Sequence, residues 1–86
     1  MIFRFHKDFI KSYKKTAPSL KKAVDLRLLL FSKNIFAVEL CNHPLKGKYQ
    51  GYRSINITGD WRAIYKELGG DEMIFVKLGT HTQLYG

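Results

Sequence analysis

Only one cysteine, Cys41, occurs among the 86 residues of the chain. A single cysteine excludes an intrachain disulfide, the usual support of small domains in oxidising compartments. Long apolar runs are missing too, since stretches such as Leu28–Phe31 are far shorter than the roughly 20 residues that cross a bilayer. The opening residues MIFRFHKDF lack the apolar core of a signal peptide. We therefore predict a cytoplasmic protein with no membrane association.

Acidic residues are few, with 7 Asp and Glu against 15 Lys and Arg, and the formal net charge is +8. This balance predicts an anionic partner, and nucleic acid is favoured over an acidic protein or an anionic membrane. A basic protein that is merely soluble is the plainer alternative. Low-complexity stretches are absent, and 45% hydrophobic and 14% aromatic residues are enough for a compact core. A chain of this length predicts one domain, residues 1–86.

The first half of the chain predicts a strand followed by two helices. Met1–Phe5 alternates like a short strand, and His6–Lys15 carries apolar residues at helical spacing. Pro18 suits the first turn of a second helix, which we place at about Ser19–Phe31. The stretch Ile35–Cys41 is ambiguous between a helical turn and an extended link.

The second half predicts an antiparallel meander. After a polar, glycine-containing stretch come three strand patterns and two turns: Tyr52–Ile57, Thr58–Asp60, Trp61–Leu68, Gly69–Asp71 and Met73–Leu78. The predicted fold is therefore α+β, with the N-terminal strand and the helical hairpin packed on a twisted, mainly antiparallel sheet. The opposite face of that sheet is left free to hold a ligand.

Two histidines and a carboxylate are candidates for acid and base chemistry. His43 stands in a polar loop before a proline, where a plain surface histidine is the common alternative. His81 follows the last strand pattern, where its imidazole can protonate a leaving 5′-oxygen and Tyr85 can stack on a base. Asp60 most simply closes its turn, although beside a phosphate it can act as a general base. His6 is most simply structural, and the three histidines lack the Cys or Glu spacing of a metal site. We predict no metal and no cofactor.

Basic and aromatic residues between these candidates can bind a phosphate chain. Lys46 and Lys48 can contact phosphates without reading bases, and a solvated basic turn is the plainer interpretation. Arg53 and Arg62 form a phosphate clamp if the strand register places them on one face, and otherwise pair with acidic neighbours. Trp61 can stack on a base or pack in the sheet.

The segment LKGKYQGYRSINITGDWRAIY resembles the strand–turn–strand core of the RelE/ParE toxin superfamily. The similarity is greatest to YafQ-type toxins, whose recurring motifs correspond here to His43–Gly47, Gly51–Arg53, Asp60–Trp61 and Gly79–Tyr85. It covers most of the chain, including the helical hairpin. The resemblance implies the RelE-like fold predicted above.

The resemblance also implies a function. Members of the group are ribosome-dependent endoribonucleases of bacterial type II toxin–antitoxin systems, which cleave mRNA in the ribosomal A site and are silenced by an antitoxin. It implies an acid/base set of His43, Asp60 and His81, supporting aromatic side chains at Trp61 and Tyr85, and a phosphate-binding arginine at Arg62. The implied partners are the ribosome, mRNA and a cognate acidic antitoxin, with which the toxin can form a heterotetramer.

One residue departs from the YafQ pattern. Asn56 stands where YafQ-type toxins carry a further active-site histidine on the strand before the Asp-Trp turn. An amide cannot shuttle protons, but it can bind a phosphate or a 2′-hydroxyl.

The mechanism implied by the whole set is attack of the nucleotide's own 2′-hydroxyl on the adjacent phosphorus. The expected groups are Asp60 or His43 as base, Arg62 with Arg53 and Lys46 around the phosphorane, and His81 as acid. Two alternatives stay open: a ParE-like toxin that poisons DNA gyrase by binding it, and a catalytically weakened RNA-binding module. Asn56 is the feature that keeps the second alternative open.

Overall fold

Two helices cover one face of a five-stranded sheet and leave the other face for the functional side chains. The structure, a computed structural model, describes residues 1–85. The strands are β1 (Ile2–Phe5), β2 (His43–Pro44), β3 (Arg53–Asn56), β4 (Trp61–Gly69) and β5 (Glu72–Thr80). The helices are α1 (Lys7–Lys14), α2 (Pro18–Lys33) and α3 (His81–Tyr85), with short 3₁₀ turns at Val38–Leu40 and Gly47–Tyr49. The predicted α+β class is confirmed.

The sheet has the strand order β1-β5-β4-β3-β2. β1 runs parallel to β5, with Ile2 opposite Glu72, and every other neighbouring pair is antiparallel. The meander of β3, β4 and β5 is as predicted. Between β4 and β5 the chain turns through Gly70 and Asp71, both at positive φ (57° and 65°), as in the two-residue turns that match strand twist.

The helical hairpin begins where the sequence predicts it. His6 caps α1, since its Nδ1 accepts the Asp8 N–H at 3.1 Å, and Pro18 opens α2. The Lys77 ammonium on β5 lies 2.8 Å from the Asp8 carboxylate and lowers the pKa of that carboxyl by a hydrogen bond. This contact joins α1 to the sheet, and the structural role expected of His6 is consistent with its position.

The core fills the space between the hairpin and the sheet with aromatic rings. The Phe31 ring of α2 lies 4.9 Å from that of Tyr65 and 5.3 Å from that of Phe75, and all three side chains are fully buried. Side chains alternate along a strand, so Ile55 and Ala63 face this core while their neighbours face away. We call the side of the sheet that α1 and α2 do not cover the open face.

Two short elements differ from the sequence predictions. His43 is not in a loop, because it lies in the edge strand β2 and pairs with Ser54 of β3. His81 directly follows β5, which ends at Thr80, as predicted, but it begins the helix α3, which the sequence analysis does not predict. A two-residue strand is too short to show alternation, and a five-residue helix is too short to show a 3.6-residue period. Within residues 1–85 no helix combines the length and the apolar character needed to cross a membrane.

Candidate active site

A cleft of about 410 Å³ opens on the open face, where the edge of the sheet meets α3. Five of the ten predicted site residues come together in its lining, which consists of Cys41, His43, Leu45, Asn56, Arg62, His81 and Tyr85. Two imidazoles, a guanidinium and a carboxamide thus converge from separate parts of the chain. Such groups can bind a phosphodiester and move its protons.

Arg62 and Asn56 share a face because the sheet register sets them opposite each other. Directly opposed residues of an antiparallel pair project to the same side, so both reach the cleft. Nη1 of Arg62 donates to the carbonyls of Thr58, Gly59 and Trp61 at 3.1, 3.2 and 3.1 Å. The guanidinium forms its hydrogen bonds within residues 1–85 through this nitrogen, which leaves Nε and Nη2 available to an anion.

His43 is held in one tautomer by the backbone. Its Nδ1 lies 2.8 Å from the Cys41 carbonyl, and a carbonyl only accepts, so Nδ1 carries the proton and Nε2 has the free lone pair in the neutral ring. Cys41 is in the left-handed conformation (φ 46°, ψ 44°), which non-glycine residues rarely adopt. The exposed side of His43 is therefore a proton acceptor.

A half-buried polar network, which reaches the buried Tyr65, fixes the segment that carries His43. Nδ2 of Asn42 donates to the Ile35 carbonyl and to the Tyr65 hydroxyl, both at 2.8 Å. Oδ1 of Asn42 accepts from Nε of Arg53 at 2.8 Å. Burial raises the pKa of Tyr65, so its phenol is neutral. We call this set of contacts the Asn42 anchor, and it ties β2 to the core.

His81 is placed by a capping box at the start of α3. The Thr80 N–H donates to Oε1 of Gln83 at 2.8 Å, and the Gln83 N–H donates to Oγ1 of Thr80 at 3.2 Å. Gly79 lies directly beneath, where an added Cβ would sit 3.0 Å from Gln83 Oε1. The absence of a side chain at this glycine lets the helix close against β5.

Tyr85 completes the wall beside His81. The two residues are four apart on α3, and their rings meet edge to face with centroids 4.8 Å apart. The Tyr85 hydroxyl donates to Oγ of the fully buried Ser54 at 3.1 Å, which fixes the ring against the sheet. Tyr85 thus orients the imidazole and lines the cleft.

Asp60 and Trp61 lie outside the cleft lining. Asp60 is exposed in the β3–β4 turn, and its backbone carbonyl accepts the His81 N–H at 3.0 Å. Trp61 packs against the hydrophobic core. For both residues the geometry favours the plainer alternative stated above, a turn residue and a hydrophobic sheet residue.

The predicted clamp of Arg53 and Arg62 is wrong. Arg53 lies opposite Tyr65, whereas Arg62 lies opposite Asn56, three residues further along β3 from Arg53. Because strand side chains alternate, an odd separation places the two arginines on opposite faces of the sheet. Arg53 serves the Asn42 anchor instead.

Lys46 and Lys48 are exposed at the 3₁₀ turn after β2, outside the cleft lining, and the Lys48 ammonium lies 5.2 Å from the Tyr49 ring centroid. Sequence reasoning did not select Cys41, Asn42 and Leu45 as site residues, although Leu45 lies within the motif His43–Gly47. It also missed the capping box, although the pattern Thr80-x-x-Gln83 is a recognisable one. Among residues 1–85 no group of three or more His, Cys, Asp or Glu side chains is arranged to hold a metal ion.

The fold is shared by the solved structure of a toxin. It superimposes on the YoeB/ParE toxin from Agrobacterium tumefaciens with a TM-score of 0.78 and 21% identity, over 94% of this chain and 99% of that one. At that identity the likeness shows the fold alone. It is the fold that the sequence resemblance to RelE/ParE-type toxins implies.

The sequence comparisons show the particular family. The family model for the bacterial toxin of type II toxin–antitoxin systems, YafQ, matches residues 2–86. The mRNA interferase toxin YafQ from Escherichia coli strain B/BL21-DE3 is 32% identical over 84 residues, 96% of this chain and 89% of that toxin. The toxin of the same name from strain K12 is 42% identical over 45 residues, and this match spans 52% of the chain and about half, 48%, of that toxin. The chain belongs to the YafQ family of type II toxins.

Proposed function

We propose that the chain is an mRNA interferase, a ribosome-dependent endoribonuclease that inhibits translation by cutting mRNA. The observation that carries the proposal is the convergence of His43, His81 and Arg62 in one cleft. Membership of the YafQ family supports it, because the E. coli relatives are mRNA interferase toxins.

The chemistry that suits this cleft starts from the 2′-hydroxyl of the RNA. Nε2 of His43 takes the hydroxyl proton, the O2′–P bond forms, and Arg62 balances the charge that builds on the phosphorane. The P–O5′ bond then breaks, and His81 gives its proton to the leaving oxygen. The products are a 2′,3′-cyclic phosphate and a 5′-hydroxyl. Every proton moves through a side chain of the cleft, so the scheme calls for no metal ion, and DNA is inert.

His43 suits the role of general base better than Asp60 does. The Cys41 carbonyl holds the proton on Nδ1, which leaves Nε2 directed to accept one. Asp60 is exposed in its turn and offers its backbone carbonyl to His81. Asn56 supplies hydrogen bonds to a phosphate or a 2′-hydroxyl rather than a third imidazole.

The partners follow from charge and family. The net charge of +8 favours the ribosome and mRNA, both polyanions, and Lys46 and Lys48 stand exposed beside the cleft to contact phosphates. A toxin of a type II system has a cognate antitoxin, and an acidic, flexible chain suits this basic surface. A toxin–antitoxin heterotetramer in the cytoplasm is the assembly we propose.

The test is to induce the wild-type chain and the His81→Ala variant in a bacterial host, and to follow growth while mapping the 5′ ends of translated mRNAs. We expect wild type to arrest growth with cuts phased to codons, and His81→Ala to do neither. Thr82→Ala is the matched control, because Thr82 is exposed beside His81 on α3 and lies outside the cleft lining. It should behave like wild type.

Two outcomes would contradict the proposal. Growth arrest that survives His81→Ala without RNA cuts would favour a gyrase poison, and RNA binding without cuts or arrest would favour a weakened binding module. The cut ends supply a chemical test of the mechanism. A 5′-phosphate and a 3′-hydroxyl would rule out attack by the 2′-hydroxyl.

A further inference from the structure

A row of aromatic rings leads away from the cleft across the open face. The Tyr85 ring, beside His81, lies 6.1 Å from the Tyr49 ring, which lies 6.3 Å from the Tyr52 ring. All three tyrosines are half-buried, and they come from α3, the 3₁₀ turn and the residue before β3. We call Tyr85, Tyr49 and Tyr52 the tyrosine row.

Ammonium groups flank this row. Nζ of Lys48 lies 5.2 Å from the Tyr49 centroid, and Nζ of Lys66 lies 5.4 Å from the Tyr52 centroid. Within residues 1–85 neither lysine forms an ion pair with a carboxylate. Both charges are therefore available to an anionic ligand.

The row ends at a second cleft of about 250 Å³, lined by Lys48, Tyr49, Tyr52 and Lys77 among others. One carboxylate, Asp8, also lines it, but this group is bonded to Lys77 at 2.8 Å. The second cleft thus combines two aromatic rings, one cation without an ion-pair partner among residues 1–85, Lys48, and a carboxylate that is already paired with Lys77.

We infer that single-stranded RNA binds along the tyrosine row, so that nucleotides flanking the cut occupy the second cleft. Proteins that hold single strands combine rings on which bases stack with cations that follow the phosphates, and this surface has both. The inference rests on the proposed function, because it takes the flanking strand to be the one that is cut in the first cleft. Binding of an acidic antitoxin would explain the exposed Lys48 and Lys66, but it would not explain the three rings of the tyrosine row.

The test compares binding of two RNA probes, a trinucleotide and a nonanucleotide, to protein carrying His81→Gln to prevent turnover. The trinucleotide fills the first cleft alone, whereas the nonanucleotide reaches the second. We expect the longer probe to bind more tightly. Tyr52→Leu should weaken it by roughly five- to 150-fold, the range for removing one stacked base, and should leave the trinucleotide unchanged. Tyr52→Phe keeps the ring and should keep the affinity.

Salt dependence tests the lysines. The double variant Lys48→Gln/Lys66→Gln should lower the slope of log K against log salt for the nonanucleotide by about 0.7 for each phosphate that these lysines neutralise in the wild-type complex. The double variant Lys22→Gln/Lys33→Gln makes the same charge change at exposed positions of α2 and should leave the slope unchanged.

An equal affinity for the two probes, or a length advantage that Tyr52→Leu preserves, would overturn the inference. So would failure of the nonanucleotide to bind. None of these results bears on mRNA cuts in cells, which test the proposed function separately. A length advantage that disappears in Tyr52→Leu would uphold the row even for a protein that makes no cuts.

Discussion

The two sides of the cleft hold a histidine each, by different means. His43 stands on a two-residue edge strand, and the Asn42 anchor secures it through Ile35, Tyr65 and Arg53, up to 23 residues away along the chain. His81 stands at the start of α3, where a local capping box of residues three apart is supplemented by bonds to Asp60 and, through Tyr85, to Ser54. The Asn42 anchor has distant partners only, whereas the His81 side adds a local cap to its distant partners. Substitutions on the His43 side and on the His81 side should therefore have different effects on stability and activity.

The largest expected effect is loss of either imidazole. His43→Gln and His81→Gln should each lower the cleavage rate by about 10²- to 10⁴-fold, the usual contribution of general acid–base catalysis. The pH–rate profiles sharpen the comparison. Loss of the base should flatten the acidic limb, and loss of the acid should flatten the alkaline limb. Cleavage of programmed ribosomes between pH 5 and 9 measures both, and loss of the same limb in both variants would contradict the assigned roles.

The Asn42 anchor should matter more for folding than any single interaction on the His81 side. Asn42→Ala leaves the Tyr65 hydroxyl and Nε of Arg53 without this partner, and an unsatisfied polar group on a buried side chain such as Tyr65 costs about 1–3 kcal/mol. Denaturant unfolding measures the loss. Asn56→Ala is the matched control, since Asn56 faces the cleft and is outside the anchor. An unchanged stability in Asn42→Ala would show that the anchor does not hold β2.

The capping box should have a smaller effect on stability and a local one on activity. Thr80→Ala removes the cap of α3 and should cost about 0.5–2 kcal/mol, while releasing His81 and Tyr85 from their positions. Thr80→Ser keeps a capping hydroxyl and should restore both stability and cleavage. If the serine variant stays as slow as the alanine variant, the threonine methyl group rather than the cap is what matters.

The smallest expected effect is on the pH dependence of the unfolding free energy, which should differ between variants on the His43 side and the His81 side of the cleft. The pKa of Tyr65 is raised above its usual value near 10 by burial, so folding favours the protonated phenol. Its contribution to stability is complete below the unfolded pKa and is lost as pH rises through the higher folded pKa. Unfolding free energies between pH 8 and 11 should show this loss in wild type and less of it in Tyr65→Phe. Thr80→Ala changes the His81 side of the cleft, so its unfolding free energy should fall with rising alkaline pH as in the wild type.

The same contrast explains what the sequence could predict. The helical hairpin and the meander were predictable because their apolar residues repeat with periods near 3.6 and 2, and Pro18 and the glycine-containing turns mark their limits. The sequence also predicts five residues of the cleft as site residues, and the fold brings them together: His43, Asn56, Arg62, His81 and Tyr85.

The features that the sequence did not predict correctly depend on strand register and on contacts between residues distant in the chain. Whether Arg53 or Asn56 shares a face with Arg62 depends on which residues pair across the β3–β4 turn, and a shift of one residue reverses the answer. β2 exists because Ser54 lies opposite His43, a partner 11 residues further along the chain that no local pattern reveals. α3 is different, because its capping box lies within one short segment, Thr80 to Gln83, and is recognisable from the sequence.

The parallel pairing of β1 with β5 has a consequence for the synthesis of the protein on the ribosome. Arg4 and Glu72, 68 residues apart, meet across these two strands at 3.1 Å, so β1 leaves a ribosome well before the strand that covers its edge. His81 is made later still. A nascent chain therefore has neither the complete sheet nor His81, the proposed general acid, and we expect the proposed nuclease to be inactive toward the ribosome that is synthesising it until β5 and α3 have been added.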